Sequence, residues 1–284
     1  MTGARGEGAE PCSPRTLSRS PAGASPSPGA RHTGPVKPFL FLGTRAEDLA
    51  ADGEYDAVLR CTGLAERELR RVRLERESLL DALGGPVDLD AWSGIVLGGG
   101  PYNVSDPVEA KSTAQRRAEA ELADLAERVV AADHPFLGAC YGIGTLGVLR
   151  GGLVDRSHPE PIGAQTITLT EAGRADALFG GLPDRFQAFL GHKEAVARLP
   201  EGAVLLASSA TCPVQAFRLG ERVWATQFHP ELDVEGICTR IEVYAEHGYF
   251  EPGGAATLQA RARAAVVTEP QRLLTRFVEL FARD

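Results

Sequence analysis

The sequence predicts an α/β fold, a doubly wound and mostly parallel sheet with an antiparallel extension, on three observations. Short uninterrupted apolar runs alternate with helical stretches over the first half of the chain. Those runs are too short to be helices. From Gly151 onward, strand-like segments follow one another without helices between them. The apolar runs are FLFLG from Phe39, YDAVL from Tyr55, Ile95-Val96-Leu97 within WSGIVLGGG, and Phe136-Leu137 within PFLGAC. A strand without polar alternation is covered on both faces, as in a parallel sheet. A polar-faced helix is expected from about Glu109 to Ala131. Beyond Gly151, AQTITLT, FQAFLGH, AVLLASS and VQAFRLGERVWATQFH read as strands. In the last of these, Gly220-Glu221 marks a tight hairpin in which glycine supplies a positive φ. Helix returns after Asp233, and QRLLTRFVELFARD puts Leu273, Leu274, Phe277, Val278 and Phe281 on one helical face.

Composition narrows the function. Residues 1–36 are rich in Pro, Gly, Ser, Ala and Arg, with too few large apolar side chains to offset the entropy of ordering, and are expected to form a disordered tail before a single domain at 37–284. The formal charge is −8. Four arginines against two glutamates in the tail leave −10 for the rest, an acidic balance that suits neither a phosphate backbone nor nucleic acid generally. No run of about twenty apolar residues could cross a bilayer, so no membrane association is expected. Five scattered cysteines without C-x-x-C spacing fit neither a disulfide framework nor a zinc site, and with no secretory h-region they indicate a reducing cytoplasm.

The chemistry concentrates in three places. Gly138-Ala139-Cys140-Tyr141-Gly142 lies between a buried strand and a helix-like segment. Its flanking glycines permit the sharp turn that lifts a nucleophile out of a sheet. Cys140 at a helix N-terminus would be favoured as thiolate by free N–H groups and the macrodipole. In ATQFHPELD, a strand ends in His229-Pro230-Glu231, and the i, i+2 spacing lets Glu231 hold the tautomer of a basic His229. The same tripeptide recurs as His158-Pro159-Glu160, but in a polar, loop-like context that reads as a surface turn. Third, Gly98-Gly99-Gly100-Pro101 follows the strand SGIVL at the end where ligands bind in such sheets. The backbone amides of Gly100 and Tyr141 could then stabilise an oxyanion formed when Cys140 attacks an amide.

In this order, a G-G-P turn, a G-x-C-x-G elbow and F-H-P-E resemble the class I, triad-type glutamine amidotransferases, over roughly Phe39 to His247 and most closely in the GMP synthase-like branch. Gly191–Val196 (GHKEAV) is similar to that family's S-H-x-x-x-V segment, which places His192 near the glutamine pocket. The resemblance implies a flavodoxin-like domain with no cofactor or metal. Cys140 would attack the carboxamide of glutamine, His229 would protonate departing ammonia, and water would release glutamate. No S-G-G-x-D-S or G-x-x-x-x-G-K-[ST] loop occurs, so ammonia is expected to pass to a separate synthase subunit. One position departs: Gly144 stands where the family has the glutamine of G-x-C-x-G-x-Q, which leaves open a γ-glutamyl hydrolase acting on another γ-glutamyl compound, or a catalytically silent relative. The same glycine creates Gly142-Ile143-Gly144-Thr145-Leu146-Gly147, a formal dinucleotide fingerprint, although the acidic residue that should end a following strand is missing.

Overall fold

A computed structural model describes residues 37–245, 250–251 and 253–282. The expected tail lies outside them. Nine strands form one sheet in the order β2-β1-β3-β4-β11-β10-β9-β6-β7. Its first part is parallel: β2 (Leu69–Arg73), β1 (Phe39–Gly43), β3 (Ile95–Leu97), β4 (Phe136–Ala139) and β11 (Val223–Thr226). Its second part is antiparallel: β10 (Ala216–Leu219), β9 (Val204–Ser208), β6 (Glu160–Leu169) and β7 (Arg185–His192). A separate ribbon pairs β5 (Leu153–Asp155) with β8 (Ala195–Arg198).

The central strands show why they lack polar alternation. Leu40, Leu42, Ile95, Leu97 and Phe136 point into one core with Leu122, Leu125 and Val129 of α3 (Thr113–Ala132). Phe39, Phe41, Val96 and Leu137 point the other way, into a core with Val58 of α1 (Asp48–Thr62) and Leu273, Leu274 and Phe277 of α8 (Gln271–Phe281). Each strand therefore keeps its two-residue period, but both faces are apolar. The remaining helices are α2 (Leu79–Leu83), α4 (Tyr141–Gly147), α5 (Glu171–Ala175), α6 (Val234–Val243) and α7 (Ala255–Ala264). The last two pack on β7 through Phe189, Ile237, Ile241 and Ala262.

Two local expectations change, and one motif that the sequence already disfavours is excluded. YDAVL is not a strand: it lies inside α1, with Val58 turned to the core and Asp56 to solvent. The strand in that place is LRRVR (β2), disguised by arginine. Only Leu69, Val72 and Arg73 are buried there, and the Arg73 guanidinium is neutralised by Asp48 and Glu75. The hairpin loop has three residues, since Leu219 pairs with Val223; Gly220 takes φ +59, and Asp133 accepts from the amides of Glu221 and Arg222. The glycine fingerprint at 142–147 lies within α4 rather than before a helix, and the next strand, β5, is antiparallel to β8, so no dinucleotide-binding βαβ unit forms. Among the described residues, no helix is long and apolar enough to cross a membrane.

Candidate functional site

Four parallel strands end at one place, beside the switch point where the chain order reverses. β1 runs into Thr44 and Arg45, β3 into Gly98–Gly100, β4 into Cys140 and β11 into Gln227-Phe228-His229. The amide of Cys140 donates to Thr226 O (2.8 Å), which carries the β4–β11 ladder up to that cysteine, and His229 N donates to Phe189 O (3.0 Å).

Cys140 caps α4 with φ 52 and ψ −92, a left-handed backbone unusual for a side chain bearing a β-carbon. The elbow closes because Gly138 and Gly142 have no side chains: a β-carbon on Gly138 would lie 2.9 Å from the Gly142 carbonyl carbon. Gly99 sits against both reactive groups. A β-carbon there would meet His229 Cε1 at 2.4 Å and Cys140 Cβ at 3.1 Å. Gly99→Ala should therefore push the imidazole off the cysteine and lower turnover about 100-fold or more, as small misplacements of reacting groups do. Activity within threefold of wild type would show that the turn has slack. Gly100 is pressed against Thr44, whose hydroxyl donates to Gly99 O (3.1 Å) and pins the turn.

His229 Nδ1 lies 2.8 Å from Glu231 Oε1, as the i, i+2 spacing anticipates. Behind this pair is a buried charge network that no motif in the sequence signals. Arg240, on α6, places Nη1 2.9 Å from His229 Nδ1, and Nη2 2.8 Å from Glu231 Oε1 and 3.1 Å from Glu54 Oε1. Arg45 donates to the same Glu54 oxygen (3.0 Å) and to the Tyr244 hydroxyl (3.0 Å). Burial pushes the Glu54 carboxyl on α1 up, against the pull of Arg45 and Arg240; as a carboxylate it shares the charge of these two buried guanidiniums with Glu231. One signal could have exposed Arg240: it interrupts the buried side of α6 between Ile237 and Ile241.

Burial, which disfavours the imidazolium, lowers His229 to about 4; Glu231 pulls against this and Arg240 adds to it. Burial also pushes the Glu231 carboxyl up, but His229 and Arg240 outweigh it and hold the group well below the usual carboxylate range. Cys140 is partly exposed to the cavities it borders, yet burial still pushes its thiol up to about 12, against the pull of Arg45 and Arg240. The thiolate expected at a helix N-terminus is thus not the resting form. Desolvation leaves a neutral thiol beside a neutral imidazole.

Cys140 borders two small cavities. One, of about 20 Å³, is lined by Tyr141, Gly144, His192, Glu194 and Gln227; the other, of about 30 Å³, by Arg45, His229, Arg240 and Tyr244. Each holds roughly one water. In the first, Gln227 Oε1 and the Tyr141 hydroxyl are buried without a protein hydrogen-bond partner. Gly144 faces Val104 and Glu194, whose Oε1 would lie 3.4 Å from a β-carbon at 144. Glu194 accepts from the amides of Val104 and Ser105 (2.8 Å each), fastening the loop after Gly98–Pro101 over the cavity.

His192 lines this cavity, but its ring nitrogens are spent elsewhere. Nδ1 meets Glu194 O and Nε2 meets Glu160 Oε2, each at 2.9 Å. Glu160 is therefore not part of a surface turn. It opens β6, is 3 % exposed, and also accepts from Ser209, Thr211 and Gln215. His158 is half-buried. Burial pushes the Glu160 carboxyl up, but hydrogen bonds from His192, Thr211 and Ser209 prevail and hold it at about 2. Since this lies below its ordinary 4.5, the stabilisation is complete above about pH 4.5 and is lost as pH falls toward 2. Glu160→Gln should cost about 3 kcal/mol by denaturant unfolding at neutral pH, because it removes the buried carboxylate on which His192, Ser209, Thr211 and Gln215 converge, and should flatten the acid limb of the stability curve. An unchanged midpoint would remove that role.

Two clusters bring three ligand-type atoms within 4.8 Å: Glu160, His192 and Cys212, and Glu54, His229 and Glu231. In the first, both carboxylate oxygens already accept two donors each. In the second, two guanidiniums hold the carboxylates. Neither donor set suits a cation.

Comparison with known proteins agrees with this architecture. The sequence model of the family described as glutamine amidotransferase class-I matches residues 61–237, well over half of the chain. A GMP synthase (glutamine-hydrolyzing) of Porphyromonas gingivalis is 34% identical over 148 residues, covering 52% of this chain and 26% of that protein. A GMP synthase (glutamine-hydrolyzing) subunit of Thermoplasma acidophilum is 31% identical over 148 residues, 51% of this chain and 66% of that relative. The match thus spans about a quarter of the first relative and just under two thirds of the second. A solved glutamine amidotransferase from Thermotoga maritima superposes with a TM-score of 0.63 at 20% identity, over 87% of this chain and 99% of that one, which shows a shared fold. By the extent of the family match, this chain belongs to the class-I glutamine amidotransferases.

Proposed function

We propose that the chain hydrolyses the side-chain amide of glutamine, with Cys140 as nucleophile, His229 as base and Glu231 as the group orienting that base, and that the ammonia passes to a separate synthase. The observation that carries this reading is the convergence, over the bare Cα of Gly99, of a cysteine held at positive φ and a histidine whose Nδ1 lies 2.8 Å from a carboxylate oxygen. The neutral resting pair implies that proton transfer accompanies attack: Nε2 of His229 takes the thiol proton as sulfur adds to the amide carbon, then returns it to the leaving nitrogen. Amides of Gly100 and Tyr141 are the oxyanion donors in this reading.

The test is glutamate release from glutamine, together with labelling of Cys140 by a glutamine-analogue electrophile. Release with labelling supports the reading, and neither, even with a GMP synthase-type partner added, overturns it. Because His229 stays neutral down to about 4, the acid limb of kcat/KM should fall near pH 4 instead of near 6.5. A limb at 6.5 would mean that the base is not desolvated as described.

A specific observation favours a second reading, in which another γ-glutamyl compound is the substrate. Gly144 leaves no carboxamide, and the Glu194 carboxylate occupies the facing wall. Release of amine from a γ-glutamyl anilide faster than ammonia from glutamine would select it.

A further inference from the structure

The proton on His229 has two claimants. Glu231 Oε1 is an acceptor and, at 2.8 Å, asks Nδ1 to carry the hydrogen. Arg240 Nη1 is a donor and, at 2.9 Å, asks the same nitrogen to offer its lone pair. A neutral imidazole cannot satisfy both, because Nδ1 has one in-plane site. The choice matters for chemistry at the other end of the ring. If Nδ1 bears the hydrogen, Nε2 is free to take the thiol proton; if Nδ1 accepts from Arg240, Nε2 already carries a hydrogen and cannot act as base.

Resting on the reading of His229 as the base, we propose that Arg240, anchored by Glu54, is a positioning residue that sets the tautomer of His229, holding it in the inactive Nε2–H form at rest and releasing it by withdrawing from Nδ1. Three features support this. The guanidinium forks across the pair, Nη1 on His229 and Nη2 on Glu231, so at rest its two donors meet two acceptors. Its anchor, Glu54, is 2 % exposed, and Glu54 Oε2 is buried with no donor, so an acceptor stands vacant on the residue that already holds Nη2. Burial also keeps the imidazole neutral at physiological pH, where the two tautomers, and not protonation, are the states available. Withdrawal of Nη1 leaves the Glu231 carboxylate as the group at Nδ1, and the hydrogen moves there by exchange through solvent as Nε2 becomes free.

The experiment is long-range proton–nitrogen correlation NMR on the full chain labelled with ¹⁵N-histidine, with His229 assigned by difference from His229→Gln. The wild-type resting protein should show His229 with hydrogen on Nε2. In Arg240→Lys, which keeps the charge but cannot span both atoms, the hydrogen should move mainly to Nδ1. A wild-type spectrum with hydrogen on Nδ1 overturns the proposal, as does an unchanged tautomer in Arg240→Lys; if that variant does not fold, the wild-type spectrum decides alone. The readout needs no turnover. A tautomer shift without glutaminase activity would leave this inference standing while the functional reading falls, and Cys140-dependent turnover without a shift would do the reverse.

Discussion

Cys140→Ala is expected to reduce glutamate release by about 10⁴-fold or more, because in the proposed reading it removes the covalent nucleophile and with it the route that the remaining groups serve. The substitution is well isolated. Alanine keeps the β-carbon, so it inherits the positive φ without adding strain, and the ladder bond from residue 140 N to Thr226 O is a backbone contact it does not touch. The circular dichroism spectrum and unfolding midpoint should match wild type within about 1 kcal/mol, so lost activity would report chemistry. Alanine retaining more than a hundredth of the wild-type rate would mean that another group, or water alone, attacks the substrate. The thiol of wild-type protein should also alkylate slowly at neutral pH, since burial holds it up to about 12 until substrate arrives.

Glu231→Gln should be the next most damaging change, lowering kcat about 10³- to 10⁴-fold with a smaller effect on KM. Glu231 is 3 % exposed, and one of its oxygens lies 2.8 Å from both His229 Nδ1 and Arg240 Nη2. Glutamine keeps the shape but loses the charge that stabilises an imidazolium, and its amide can donate toward Nδ1, which reinforces the unproductive tautomer. It also leaves the Arg240 guanidinium sharing Glu54 with Arg45, so a loss of about 3 kcal/mol in stability should accompany the kinetic defect. Equal kcat in wild type and variant would show that Glu231 only anchors Arg240 and takes no part in orienting the base.

Particular residues show how far the sequence could be read. The elbow at Gly138–Gly142 and the His229-Pro230-Glu231 end of β11 were legible because each is a local pattern: a glycine-flanked turn, and an i, i+2 pair on extended backbone. The strands at Phe39, Ile95 and Phe136 were legible for the same reason, being apolar on both alternating faces. β2 was not, since three of its five residues are arginines, and the charges of Arg71 and Arg73 are met by Asp52 and Asp48 from earlier in the chain. Glu160 was misread because its polar neighbours Pro159 and His158 look like a loop, while the residues that bury it, His192, Ser209, Thr211 and Gln215, come from elsewhere in the sequence.

The sequence by itself determined the fold class and the order of the three motifs, and through their resemblance to a known family it nominated Cys140, His229 and Glu231 as the trio proposed here, because periodicity and spacings of one to four residues are local properties of the chain. Only the tertiary structure decided the protonation state of that trio and the company it keeps. Glu54 lies 186 residues from Arg240, and Arg45 lies 199 from Tyr244, yet each pair is in hydrogen-bond contact behind His229. Desolvation and charge act through space over a few ångströms in a medium of low polarity. Whether Cys140 is thiol or thiolate, and which nitrogen of His229 holds the hydrogen, is therefore set by neighbours that no local pattern in the chain announces.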